Sequence, residues 1–174
     1  MLKLAGLMTA VVLAVAAPVS GASAAIGPDA AACEDGAGPA LLVRVDGFKA
    51  RTGNLRVQVY GSDPSQFVKG GHRVRRIDLP VARSGSMDVC VKLPGEGRYA
   101  VAVRHDVDGN GKGGINDGGG FSRNPKLSLG DALARRMPKY DEVAIIAGET
   151  VRPVEIVLNY RRGLSIGPIT MAAR

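Results

Sequence analysis

The sequence predicts an all-β fold, an antiparallel two-sheet β-sandwich with one short helix, and two observations carry that prediction. Seven short runs rich in β-branched residues recur along the chain, each bounded by turn residues. Strict alternation marks two of them: Tyr99, Val101 and Val103 fall on one face, as do Val154, Ile156, Leu158 and Tyr160. Half-buried strands at this spacing need a second sheet to cover them, and the simplest solution is a two-layer sandwich.

The first element is of a different kind. Residues 1–24 carry Lys3 as their one charge, then an apolar run from Leu4 to Val19, then Ala22-Ser23-Ala24. This is the pattern of a secretory signal peptide with an A-x-A cleavage site. Pro18, Ser20 and Gly21 stop the run short of the roughly 20 apolar residues of a membrane-spanning helix. The expected address is therefore exported, periplasmic or extracellular, with no membrane span after cleavage.

Residues 25–39 are Ala, Gly, Pro and acidic residues without periodicity, and they read as a flexible lead-in. The sandwich domain is expected over residues 40–162. Its strands are predicted at Leu41–Asp46, Asn54–Tyr60, Arg73–Val81, Ser86–Leu93, Arg98–His105, Glu142–Ala147 and Val151–Tyr160. Turn chemistry separates them, as in Thr52-Gly53-Asn54 and Pro94-Gly95-Glu96-Gly97. Between His105 and Glu142 the connection is too long for a hairpin loop. Within it, Ser128-Leu129-Gly130-Asp131 is a capping box that predicts the short helix, Leu129 to Arg136, which Pro138 stops. Residues 163–174 read as a C-terminal tail.

Composition supports one globular domain: 174 residues, 45% hydrophobic and 22% charged, without tryptophan, so Val, Leu, Ile and Ala must build the core. Cys33 and Cys90 are the only cysteines. An even count in an oxidising compartment favours a disulfide between them. Small residues precede Cys33 as in a lipoprotein signal, but Pro28 and Asp29 separate it from the apolar run, and lipidation would leave Cys90 as an odd thiol. The net charge is +7, with basic clusters at Arg73, Arg75 and Arg76, at Arg135 and Arg136, and at Arg161 and Arg162. No aromatic residues interleave with these arginines, which argues against nucleic acid. For an exported protein the available partners are anionic cell-envelope components, although a solvated sheet face needs no partner at all.

One segment carries chemistry. Asp106, Asp108 and Asn110 occupy positions one, three and five of a twelve-residue stretch, Gly111 position six, and Asp117 position twelve. Oxygen donors at that spacing, with a backbone carbonyl at Lys112 in position seven and a glycine for the sharp turn, suit a hard cation such as calcium. The site departs from the full pattern in having Asp117 where a longer Glu binds through both oxygens, and Gly114 at position nine. The alternative is an ion-free loop of good turn formers.

The run from Gly97 to Lys112, followed by Gly119-Gly120-Phe121-Ser122 and Asn124, resembles the signature of a bacterial family catalogued as a domain of unknown function, DUF2141. The resemblance spans about residues 41 to 160 and includes Ile156-Val157-Leu158-Asn159-Tyr160. It implies an exported sandwich of immunoglobulin-like or transthyretin-like type and no known activity. Gly114 stands where the family pattern has an acidic residue.

Other motifs are weak. Gly163-Leu164-Ser165-Ile166-Gly167 matches a nucleophile elbow, but the seven residues after it include no His, Asp or Glu. His72 and His105, with two cysteines expected to be bridged, fit no usual zinc spacing. The reading that results is a non-enzymatic binding or structural module of the cell envelope with a calcium-binding loop. Its rival is a hydrolase or other enzyme using His105 and Asp106 beside the glycine-rich loop.

Overall fold

Alternation along Ala40–Asp46, strand β1, sends Leu41, Val43 and Val45 to one face, and all three are fully buried. In this computed structural model, which describes residues 24–36, 38–134 and 136–169, β1 is the centre of a three-stranded sheet. The expected signal peptide lies outside the described residues except for Ala24, and so does Arg135 of the second basic cluster. Among the described residues no helix is long and apolar enough to cross a membrane.

On one side β1 pairs antiparallel with β4 (Met87–Lys92), Val43 opposite Val89. On the other it pairs with β8 (Val151–Val157), Val43 opposite Val154. That second pairing is parallel, the one exception to antiparallel order among the named strands. Parallel neighbours need a long crossover, and here residues 47–150 supply it.

The second sheet holds β2 (Asn54–Tyr60), β3 (Arg73–Pro80), β5 (Gly97–Asp106), β6 (Gly118–Phe121), β7 (Ile145–Ala147), β9 (Asn159–Arg162) and β10 (Ser165–Pro168). Its order is β10-β9-β6-β5-β2-β3. The long strand β5 shares one edge between two partners: residues 97–99 pair with β7 and residues 102–105 with β6. Inward side chains of both sheets, among them Leu55, Val57, Val101, Val103, Val154 and Ile156, close a single core. A smaller cluster on the outer face of the large sheet is built on Phe67, which packs edge-on against Tyr60, Phe121 and Tyr140.

The two-sheet sandwich is as expected, but several elements differ. The lead-in is not loose: Ala30–Glu34 form α1, and Ile26 bridges Val89. Asp29 holds Arg75 through two hydrogen bonds, and Cys33 is bonded to Cys90 across 57 residues with Cα atoms 5.9 Å apart. Composition could not foresee this because the fastenings are all distant in sequence. The predicted strand from Glu142 divides into α3 (Tyr140–Val143) and β7, since Glu142 Oε2 accepts from the Lys139 N–H and starts a helical turn. Predicted Val151–Tyr160 splits at Leu158 into β8 and β9, which enter different sheets.

The helix predicted from Leu129 to Arg136 is present over Leu129–Leu133 (α2), with Ser128 Oγ accepting from the Asp131 N–H at 3.0 Å. The expected tail contributes β10, which returns against β9. Strand β6 is not among the predicted strands, because three of its four residues, Gly118, Gly119 and Gly120, are of the type most depleted in strands. It is a strand because backbone must pass close to Tyr160 and Ile156. A Cβ on Gly118 would lie 2.4 Å from the Tyr160 ring, and one on Gly120 would lie 2.6 Å from Ile156 Cγ2.

Candidate metal centre

Residues 106–117 form the loop of the β5–β6 hairpin. His105 pairs with Gly118 at its mouth, so positions one and twelve, Asp106 and Asp117, stand opposite each other where the strands part. Two glycines make the close passages. Gly53, at φ +72°, lies so near that a Cβ would fall 1.9 Å from the Asp106 carbonyl oxygen. Gly111, at φ +77°, turns the chain back so that its N–H donates to Asp106 Oδ2 at 2.8 Å.

A clamp beneath the loop holds both ends. His105 is fully buried, with Nδ1 2.6 Å from the Tyr160 hydroxyl and Nε2 2.9 Å from the Thr52 carbonyl oxygen. The carbonyl can only accept, so in the neutral imidazole Nε2 carries the hydrogen and Tyr160 donates to Nδ1. The Lys49 N–H donates to the same hydroxyl at 3.2 Å, and Phe48 packs edge-on against the imidazole. Burial pushes the Tyr160 phenol up to about 12.

The loop is then organised by its own carboxylates. Asp117 Oδ1 accepts from the Val107 N–H at 3.1 Å, and its Oδ2 accepts from the Gly114 N–H at 2.7 Å. Asp108 accepts from the backbone N–H and side-chain amide of Asn110, while Asn110 Oδ1 accepts from the Lys112 N–H. One oxygen from each of Asp106, Asp108 and Asp117 lies within 4.8 Å of the others. Asp106 is 3% exposed, and its Oδ1 is buried without a hydrogen-bond partner among the described residues.

Burial pushes the Asp106 carboxyl up, but the backbone N–H groups of Gly111 and Asn110 and the Arg104 guanidinium outweigh it. The group is held below the usual carboxylate range and is ionised at neutral pH. Arg104 lies 3.5 Å from Asp106 Oδ2 and donates to the Gly111 carbonyl at 2.9 Å. Of the three carboxylates, Arg104 pairs with Asp106.

The model of a family described as an uncharacterized protein conserved in bacteria, DUF2141, matches residues 43–155 of the chain. The chain belongs to the DUF2141 family. Searches of curated proteins and of solved structures gave no match.

The DUF2141 segment contains the whole loop together with Gly53 and His105. The signature residues after the loop act as staples. Ser122 Oγ donates to the Val143 carbonyl at 2.5 Å and accepts from the Val101 N–H, fastening α3 to β5. Asn124, at φ +46°, donates to the Glu155 carbonyl and accepts from the Val157 N–H, fastening the hairpin to β8.

Of the sequence-expected site residues, Asp106, Asp108 and Asp117 come together. Asn110 lies beside Asp108, and Lys112 continues the same turn. Sequence reading missed Gly53, Arg104 and Tyr160. Each left a signal that did not point to the site, Gly53 as the centre of a turn tripeptide, Arg104 and Tyr160 within the runs that resemble the family signature. His105, the residue central to an enzymatic reading, is closed off from solvent with both ring nitrogens occupied.

Proposed function

We propose that this DUF2141 protein is an exported, non-enzymatic binding module of the cell envelope whose 106–117 loop holds calcium. The observation that carries the reading is the meeting of three carboxylates within 4.8 Å, one of them buried with an unpartnered oxygen. Like charges so close, with one arginine to offset them, repel unless a cation joins them. Calcium takes six to eight oxygens at about 2.3–2.6 Å in a flexible geometry. The donor set is the three carboxylates, Asn110 Oδ1 and the Lys112 carbonyl, with water completing the shell. Magnesium demands a tighter octahedron and keeps its waters, which suits a glycine-rich loop less well. The enzymatic alternative would need His105 to reach a substrate, and its burial weighs against that.

Calorimetric titration of chelator-stripped protein with calcium tests the proposal, beside Asp108→Ala. Binding heat and a melting temperature that rises with calcium are expected, both strongly reduced in the variant. At one hundred times the dissociation constant the stabilisation is about 2.7 kcal/mol, several degrees in a domain of this size. No heat and no shift at millimolar calcium would reduce the loop to a turn.

A further inference from the structure

The three glycines of β6 are not equivalent. Gly118 and Gly120 face the core and are required by Tyr160 and Ile156, but Gly119 faces outward, where a Cβ would touch only the Val103 carbonyl oxygen at 3.7 Å. Its φ is not in the left-handed region either. Glycine inside a strand weakens it, so a glycine that packing does not require marks a place where something else approaches the backbone.

Pairing shows what lies on either side. Arg56, Arg104, Gly119 and Asn159 form one row across β2, β5, β6 and β9, all on the outer face. Two arginines directly opposite each other are unfavourable in a sheet. Asp78 takes Arg56 and Asp106 takes one end of Arg104, but Arg104 Nε is buried with no partner among the described residues. Here the face sinks into a hollow of about 520 Å³, whose lining includes Arg56, Arg73 and Arg104. A second hollow of about 380 Å³ adjoins it, lined by Ile115, Leu127, Leu129 and Ile166, with Asp117, Asn159 and Arg161 at its edge. Both hollows border Gly119, which with Gly114 and Asp117 forms the saddle between them. Ile115 is 67% exposed, so the apolar end has no cover among the described residues.

A groove with three arginines at one end and most of its large apolar side chains at the other, open at its middle because a side chain is missing, fits one shape of ligand. We propose that the outer face of the seven-stranded sheet binds a single-chain acyl anion. Its carboxylate sits at Arg56, Arg73 and Arg104, and its chain crosses Gly119 toward Leu127, Leu129 and Ile166. The combined hollows are within the size of ordinary small-molecule sites. Charge-assisted hydrogen bonds fix the head, and apolar burial holds the chain. The proposal goes beyond the calcium reading and does not need the loop to hold an ion.

Titration of the protein with sodium decanoate, in chelator, tests it beside decanol and sodium butyrate. Decanoate is expected to bind at least about tenfold more tightly than either, because only it has both head and chain. Arg56→Gln should weaken decanoate by about tenfold while leaving decanol unchanged. Gly119→Leu should abolish binding without lowering the melting temperature. If that variant does not fold, Leu127→Gln replaces it, with a loss of about tenfold expected. Decanoate no tighter than butyrate, equal binding by dextran sulfate, or unchanged affinity in the folded groove variant would overturn the proposal. Because chelator keeps calcium out, a negative result here leaves the calcium reading intact, and a failed calcium titration leaves this one intact.

Discussion

Two segments of this chain have too little apolar surface to hold themselves, residues 24–36 ahead of the first strand and the 106–117 loop, and they are fastened by different means. The first is tied by a covalent bond from Cys33 to Cys90, a backbone bridge at Ile26 and the Asp29–Arg75 pair, all of which attract. The second is clamped at its mouth by His105 and Tyr160, but inside it the organising groups are carboxylates that repel one another. Glycine-rich backbone ordered in the first way is complete in itself. Backbone ordered in the second way keeps like charges close together, and the proposed calcium would offset them.

The contrast breaks most visibly at the covalent tie. A Cys33→Ala/Cys90→Ala variant should lose about 4 kcal/mol in the chain-entropy account of a 57-residue loop, read as a lower urea midpoint. Proteolysis should then enter residues 24–36 before it enters the loop.

Next in size is the pair Gly118→Ala and Gly120→Ala. Each places a methyl group inside the radius of Tyr160 or Ile156 and should destabilise by about 1–3 kcal/mol in urea denaturation. Gly119→Ala should stay within about 0.5 kcal/mol of the parent. Equal effects at all three positions would mean that β6 is held by something other than close approach to those side chains.

Alkaline pH probes the clamp. The Tyr160 phenol is raised from its ordinary 10 to about 12, so the folded protein keeps its proton where the unfolded chain would release it. That contribution to stability is complete below pH 10 and is lost as pH rises toward 12. A pH series of melting temperatures should fall across that window, and Tyr160→Phe should flatten the fall. A series that fell equally steeply in Tyr160→Phe would assign the loss to other groups.

How far the sequence reveals all this depends on the range of the interactions. Strands β1 to β5 are legible because Leu41, Val43 and Val45, or Tyr99, Val101 and Val103, alternate within one strand. The calcium spacing is legible for the same reason, since Asp106, Asp108 and Asn110 are near neighbours. Strand β6 is hidden because its glycines answer to Tyr160 and Ile156, roughly forty residues away. The burial of Asp106 is hidden too, since it depends on the approach of Gly53 from another strand. The order in the lead-in depends on Cys90, Arg75 and Val89, and the Ala-rich stretch around Cys33 gives no local sign of them.

Amide hydrogen exchange with and without calcium compares loop and frame in a single experiment. With calcium, the amides of residues 107–117 should slow by well over tenfold, while those of residues 24–36 and of the core strands β2 and β5 change much less. Exchange in the loop that is unchanged by millimolar calcium, with the rest of the protein folded, would contradict the claim that this loop is completed by a cation.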